Sequence, residues 1–339
     1  MAPPAPSLGG LVCEWIEAHC VIPDRDDRGK PFTLYGEQLL FLDRHYELKS
    51  TAQVGQLAPA FVHRRSLLVR PQKWGKGPLT AAQVCAEGVG PVLFAGWAAG
   101  GEVYDCRDHG CGCGFAYEFE PGEPMGRAWS TPLIQITALS EEQTENIYGA
   151  LRPMIEYGPL SEIIPRTGEE FIRLPGGGRI DTVTSSAQSR LGQRVTFVPQ
   201  DEVGLWNATN KMLKVADTQY RGLAGMGGRA VLTTNGWDPA EASVAQLAFE
   251  SPAQDINRDF VQAPANLSYG NKVERRRIHR IVYGDSLKSR GGHIDLDSIE
   301  AEAADLAARD IGQAERFFGN RIVYGAGSWL DGDLWDARA

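Results

Sequence analysis

Residues 66–89 constrain this chain more than any other stretch. SLLV, from Ser66 to Val69, is an apolar run of strand length, and RPQKWGKG follows it directly. After that loop, PLTAAQVCAEGVG sets Leu79, Ala82, Ala86 and Val89 on one helical face, with Pro78 tolerated in a first helical turn. A strand, a glycine-lysine loop and a helix together offer backbone N–H groups and a flexible ammonium to a phosphate anion. Against the pattern G-x-x-x-x-G-K-[ST], only Gly75 and Lys76 match, because Arg70 stands at the first glycine and Gly77 at the hydroxyl position. The residues alone leave two readings, a phosphate loop or a Gly-Lys surface turn between strand and helix.

The rest of the chain alternates in the same way. Residues 11–50 read as two helices around the turn-rich PDRDDRGKP, PVLFAGW as a short strand, and PLIQITAL as another. Ser140 opens S-x-x-Q, a capping box ahead of a helix that buries Ile147, Leu151, Met154 and Ile155. EFIRLPGGGRIDTVT reads as a hairpin, followed by an extended 195–198, a helix-like 207–221, the strand RAVLTTN and a late strand RIHRIVYG. From about residue 295 the pattern is helical. Strands alternating with helices predict an α/β fold with a mostly parallel central sheet covered by helices.

Two further elements carry chemistry. VTFVPQDE ends in Asp201-Glu202, a carboxylate pair of the kind an ATPase uses to hold Mg²⁺ and orient water. Pro199 and Gln200 break the apolar run before it, and an isolated Asp-Glu pair also suits a solvated turn. The strand VLTTN ends in Thr233, Thr234 and Asn235, which suit a γ-phosphate sensor or an ordinary turn.

In this order, and with PFTLYGEQ upstream, these elements resemble the ATPase half of large terminases, the DNA-packaging motors of tailed double-stranded DNA bacteriophages. The family's phosphate loop is similar to LLVRPQKWGKG in carrying an arginine where other such loops have glycine, so Arg70 counts for the resemblance. The resemblance spans roughly residues 30–339 and implies a P-loop NTPase fold of the additional-strand, catalytic-glutamate type with a small helical lid. It implies Gln38 as reader of adenine, the loop Arg70, Lys73, Trp74, Gly75, Lys76 and Gly77 around the ATP phosphates, and Asp201 as the Mg²⁺ carboxylate. Glu202 is implied as the catalytic carboxylate, and Thr233, Thr234 and Asn235 as the motif coupling hydrolysis to movement. Gly77 departs from the family, which has Ser or Thr there; a water or Thr80 would take over that metal contact, or metal affinity falls. Arg70 is expected to contact the γ-phosphate within the subunit, and Arg190 is the candidate for an arginine reaching a neighbouring subunit, with Arg194 and Arg221 as competitors.

The division this implies is an N-terminal helical segment over residues 1–57, an ATPase core over 58–285 with an insert at about 98–128, and a lid and linker over 286–339. The family's second half is a nuclease, and GSWLDGDLWDARA is similar to the junction before it, so no DNA cleavage is expected of this chain. The implied partners are double-stranded viral DNA, the portal protein and the small terminase subunit, in a homo-oligomeric, pentameric ring. The implied location is the host cytoplasm, transiently on the procapsid portal. A helicase-like nucleic-acid ATPase and a non-hydrolysing assembly scaffold stand as alternatives, the scaffold because of Gly77 and the broken run before Asp201.

Composition narrows the partners. With 34 Lys+Arg against 43 Asp+Glu the net charge is −9, so the chain as a whole is not a polybasic binder. Its most basic run is KVERRRIHR, a DNA contact on one reading and a charged strand edge on the other. No run has the ~18 consecutive apolar residues of a membrane span. Finally, YDCRDHGCGCGF groups Cys106, His109, Cys111 and Cys113, four soft ligands of the type Zn²⁺ takes. Their spacing within eight residues of one loop is cramped, which leaves open a structural zinc site, a site shared with a distant residue, or reduced thiols.

Overall fold

The apolar run before the glycine-lysine loop becomes an interior strand, second from one edge, of a seven-stranded sheet. The computed structural model describes residues 5–184 and 193–325. Helices α1 (Gly9–His19) and α2 (Gly36–His45) lead into β1 (Arg65–Val69) and α3 (Lys76–Val89). There follow β2 (Leu93–Trp97), β3 (Val103–Asp105), β4 (Ala116–Glu118), β5 (Pro124–Arg127), β6 (Leu133–Thr137) and α4 (Glu141–Glu156). Next are β7 (Phe171–Arg173), β8 (Arg179–Val183), β9 (Phe197–Gln200), α5 (Met212–Met226), β10 (Arg229–Thr234), α6 (Val244–Glu250) and β11 (Ile256–Phe260). Three helices close the described chain, α7 (Lys272–Tyr283), α8 (Leu296–Arg309) and α9 (Ile311–Phe317).

The strand order is β11-β1-β10-β9-β6-β8-β7. All neighbours pair in parallel except β7 and β8, the hairpin read from EFIRLPGGGRIDTVT. This is the α/β P-loop fold expected, with β10 standing as the additional strand between the loop strand β1 and the acidic strand β9. Alternation along β1 shows why helices cover both faces: Leu68 joins the core with α1 to α4, whereas Leu67 and Val69 join the core with α5 and α6. Pro199 sits inside this sheet, a position where proline is normally excluded. The β6–β9 register pairs Ile134 with Phe197 and Thr137 with Gln200 and is interrupted between them, where Pro199 has no N–H to offer β6; the ladder resumes with Asp201 N–H donating to Thr137 O.

Ser140 caps α4 as its S-x-x-Q pattern predicts, accepting from the Gln143 N–H at 3.3 Å. Two expectations change. RIHRIVYG is not a strand but the C-terminal half of α7 and its cap Gly284; the helix is capped at its start by Asn271 and buries Arg275, Ile278, His279 and Val282 at helical spacing. The strand beside β1 is instead β11, whose sequence INRDF is too polar to stand out. PVLFAGW does form a strand, but β2 pairs with β5 in a separate two-stranded ribbon rather than in the main sheet.

The third core, formed by α7, α8 and α9 with Leu267, Tyr269 and Leu287, is the helical lid. It grips the loop after β1 at three places. Gln72 N–H donates to Phe317 O at 2.7 Å, Tyr283 Oη donates to Gln72 O at 2.8 Å, and His293 Nε2 lies 3.2 Å from Lys73 O. Asn320 completes the attachment: its side chain donates to Val69 O and Val261 O and accepts from the Gly236 N–H.

Candidate active site

Parallel pairing brings the C-terminal ends of β1, β10 and β9 side by side, with Val69 opposite Thr234 and Leu232 opposite Gln200. The residues that follow these ends therefore meet at one edge of the sheet, where open α/β folds place their ligands. After β1 the backbone curls through Lys73 (φ 69°) and Gly75 (φ 110°), both left-handed, into the first turn of α3. Gly75 is required twice over, since a β-carbon there would stand 3.2 Å from the His293 ring in a conformation L-residues avoid. The curl wraps Lys76, whose Nζ donates to Arg70 O at 2.8 Å and to Pro71 O at 3.0 Å. Two of its three N–H groups are thus spent on the loop, the third is left for an anion, and the first-turn N–H groups of α3 lack acceptors within the helix. Burial pulls the Lys76 ammonium below its ordinary pKa, and the nearby Glu202 and Asp201 carboxylates oppose that shift.

Asp201 and Glu202 take different environments. Asp201 is buried and held on three sides: its N–H donates to Thr137 O, its Oδ1 accepts from Thr233 Oγ1 at 2.6 Å, and its Oδ2 accepts from Asn146 Nδ2 at 3.1 Å. Glu202 adopts a left-handed conformation (φ 57°, ψ 37°), which a non-glycine residue holds only where its surroundings enforce it. Burial raises its carboxyl pKa, Lys76 counters this, and Asp201 adds to it. The pair thus offers one carboxylate fixed by hydrogen bonds beside one desolvated carboxylate. Thr234 joins the two strand ends, because its Oγ1 accepts from the Gly204 N–H in the turn just after Glu202. Asn235 is buried and donates to Gly236 O.

Gly77 has a packing reason. A β-carbon there would collide with the main-chain carbonyl of Asn146 in α4, so no serine or threonine fits, and the Asn146 side chain is what approaches Asp201. Thr80 is buried in the following turn. Arg70 is also engaged: its guanidinium donates to Asp259 Oδ1 at 2.7 Å and to two main-chain carbonyls, lies 3.7 Å from Glu37 Oε2, and lies 5.1 Å from the Trp74 ring centre. It thereby ties the loop to β11 rather than extending from it. Gln38 is buried at the start of α2, accepting from the Tyr35 N–H at 3.0 Å, with its amide nitrogen toward Gly75. Beside it Tyr35 and His293 stack at 6.1 Å, joined by a 2.8 Å hydrogen bond.

Arg190 lies outside the described residues, as do Trp329 and Trp335 of the terminal segment. Arg194 is exposed, and Arg221 bonds Thr218 within α5. Asn146, His293 and Glu37 were not legible in advance. Only Glu37 had a signal, its position beside Gln38 in GEQ. The basic run is partly spent, since Arg275 pairs with Glu300 and Arg276 with Asp297, leaving Lys272, Arg277 and Arg280 exposed.

No protein-family model matches the chain. It is 25% identical over 370 aligned residues to the Gene 13 protein of Mycobacterium phage L5, and to the same degree to that of Mycobacterium phage D29. These alignments cover 98% of this chain and 58% of each relative. Among solved structures, the HK97 bacteriophage large terminase superimposes with a TM-score of 0.63 at 17% identity, over 97% of this chain and 58% of that one. The chain has the P-loop fold of the part of that large terminase with which it aligns. On that fold Lys76, Asp201, Glu202 and Thr233 occupy one sheet edge, as the sequence order required.

The insert after β2 departs from expectation at one residue. His109 stacks on Tyr104 at 4.8 Å and is not with the cysteines. The imidazole that meets Cys106, Cys111 and Cys113 is that of His19, at the end of α1. A helical residue almost ninety positions upstream carries no spacing signal.

Proposed function

We infer that this chain is the ATP-hydrolysing motor portion of a phage large terminase, driving double-stranded DNA into a procapsid. The observation that carries this reading is the convergence of Lys76 after β1, Thr233 on β10, and Asp201 and Glu202 after β9, at the ends of three adjacent parallel strands. The residues present suit Mg-ATP. Lys76 and the first-turn N–H groups of α3 neutralise phosphate charge, while Gln38 with the stacked Tyr35 and His293 suits an adenine ring. Asp201, aimed by Thr233 and Asn146, would hold Mg²⁺, which supplies charge neutralisation at the leaving phosphate. Glu202 orients the attacking water. Thr234, bonded to the turn after Glu202, carries a change at the nucleotide into β10.

Arg70 acts in this reading through the loop, clamping it to Asp259; Arg190 remains the candidate to act across subunits of a pentameric ring. The portal protein, the small terminase subunit and viral DNA are the partners, the host cytoplasm and procapsid the location. The proposed division assigns residues 1–57 to nucleotide-base recognition, 58–285 to the catalytic part and 286–339 to lid and linker, with α7 (Lys272–Tyr283) sharing the lid's core from the catalytic side of that boundary. A nucleotide-holding scaffold is the second reading, favoured by the packed Gly77. Among the described residues no helix is long and apolar enough to cross a membrane.

Steady-state ATP hydrolysis with and without Mg²⁺ and double-stranded DNA decides between them. Turnover that needs Mg²⁺ and is lost in Lys76→Ala and Glu202→Ala is the expected result. ATP binding without turnover supports the scaffold, single-strand stimulation with unwinding supports a helicase, and no ATP binding overturns all three.

A further inference from the structure

The hairpin of β3 and β4 has three residues per strand, well short of what holds a two-stranded ribbon together in water. Small units of this kind need a staple. Between the two strands, the turn Cys106–His109 and two left-handed glycines, Gly110 (φ 84°) and Gly114 (φ 82°), fold three cysteine side chains toward one point. Cys106 and Cys111 are buried there and Cys113 forms the exposed rim. The fourth group comes from outside the loop: His19 ends α1, fully buried.

We propose that His19, Cys106, Cys111 and Cys113 bind a structural zinc ion that fastens the insert to helix α1. The four ligand atoms all lie within 4.8 Å of one another, with Cys106 Sγ 3.3 Å from Cys113 Sγ, and Cys113 Sγ 3.3 Å from His19 Nε2. Zn–S distances near 2.3 Å and Zn–N near 2.0–2.1 Å give tetrahedral edges of about 3.6–3.8 Å, so these separations bracket a metal-centred tetrahedron. The imidazole is prepared for the role. Its Nδ1 donates to Trp15 O at 2.7 Å, which places the ring proton there and leaves the Nε2 lone pair facing the sulfurs. Trp15 stacks on the ring at 4.3 Å and Phe115 meets it edge-on at 5.5 Å, so its orientation is fixed from both sides. The Phe115 N–H also points at Cys113 Sγ from 3.4 Å, a donor suited to a thiolate. Three cysteines and one histidine are a recurrent structural zinc set, and the histidine relieves the crowding that four ligands on one short loop would impose. Binding deprotonates the three thiols and releases their protons without any redox change.

The test is metal analysis of the full chain purified without added chelator, with Co²⁺ replacing Zn²⁺ as the optical probe. One zinc per chain is expected, with thiolate-to-cobalt charge-transfer bands in the Co²⁺ form. His19→Ala and the rim variant Cys113→Ser should weaken metal binding beyond the roughly 10–100-fold that loss of a supporting hydrogen-bond partner costs. His109→Ala should leave it unchanged. Absence of zinc together with no cobalt charge-transfer band overturns the proposal, as does loss of binding in His109→Ala but not in His19→Ala. A Cys106–Cys113 disulfide found by mass spectrometry under non-reducing conditions would also overturn it.

Discussion

The side-chain amide of Asn146 donates to Asp201 across 3.1 Å, while the carbonyl of the same residue closes the space above Gly77. One residue of α4 thus excludes a hydroxyl side chain from the phosphate loop and supplies a polar contact to the carboxylate assigned to the metal.

Restoring the usual hydroxyl should therefore fail. Gly77→Ser is expected to lose about 1–3 kcal/mol of stability by overpacking. Asn146→Ala should not rescue it, because the obstruction is main chain. Urea denaturation of the single and double variants measures both; a serine variant of unchanged stability would contradict the geometry.

Asn146→Ala alone removes a hydrogen bond to a charged group, worth about 1.5–3 kcal/mol. The expected effect is a higher Mg²⁺ concentration for half-maximal ATP turnover, with ATP binding in the absence of metal unchanged. Titrating Mg²⁺ against turnover reads this directly.

Glu202→Gln should reduce turnover by at least about 100-fold, the scale of a positioned acid–base group. Burial raises the Glu202 carboxyl pKa in the folded chain, so ionising it opposes folding. The sign follows: relative to glutamine, the glutamate costs stability above its folded pKa, and that cost disappears below the unfolded value. Glu202→Gln should melt higher than the parent at neutral pH, with the gap closing in acid. The acid limb of the parent's turnover should lie above the ordinary glutamate range. Thermal melts across pH and a pH–rate profile check the two halves separately.

Far from the loop, Arg229 and Glu87 form a buried pair at 3.2 Å, with Tyr46 Oη donating to Glu87 and the guanidinium donating to His45 O. Arg229→Met strands a buried carboxylate and should cost about 3–5 kcal/mol. Adding Glu87→Gln should recover much of that loss. A double-mutant cycle in denaturant gives the coupling.

The loop, the acidic pair and the threonine strand end were readable because each depends on local chemistry in chain order. The sheet they belong to was readable from alternation, since Leu67, Leu68 and Val69 feed both faces. α7 was misread because its arginines hide the helical spacing of Ile278 and Val282, and one of them, Arg275, is buried through its partner Glu300 rather than by being apolar. β11 was missed because Asn257 and Arg258 look like loop, yet Asn257 is buried and Arg258 spends its guanidinium on neighbouring carbonyls. Asn146, His19 and His293 reach their partners only through tertiary packing, which leaves no trace in spacing.

Asn320 holds the ends of three strands with one amide, touching Val69, Gly236 and Val261. A pull on the backbone at this residue is resisted first by the main chain at the roots of the lysine loop and the threonine motif, before any of it reaches the helices. The lid is therefore anchored at the strand ends from which the lysine loop and the threonine motif continue, so in the proposed reading a movement of the lid and a change at the nucleotide would meet at the same few atoms.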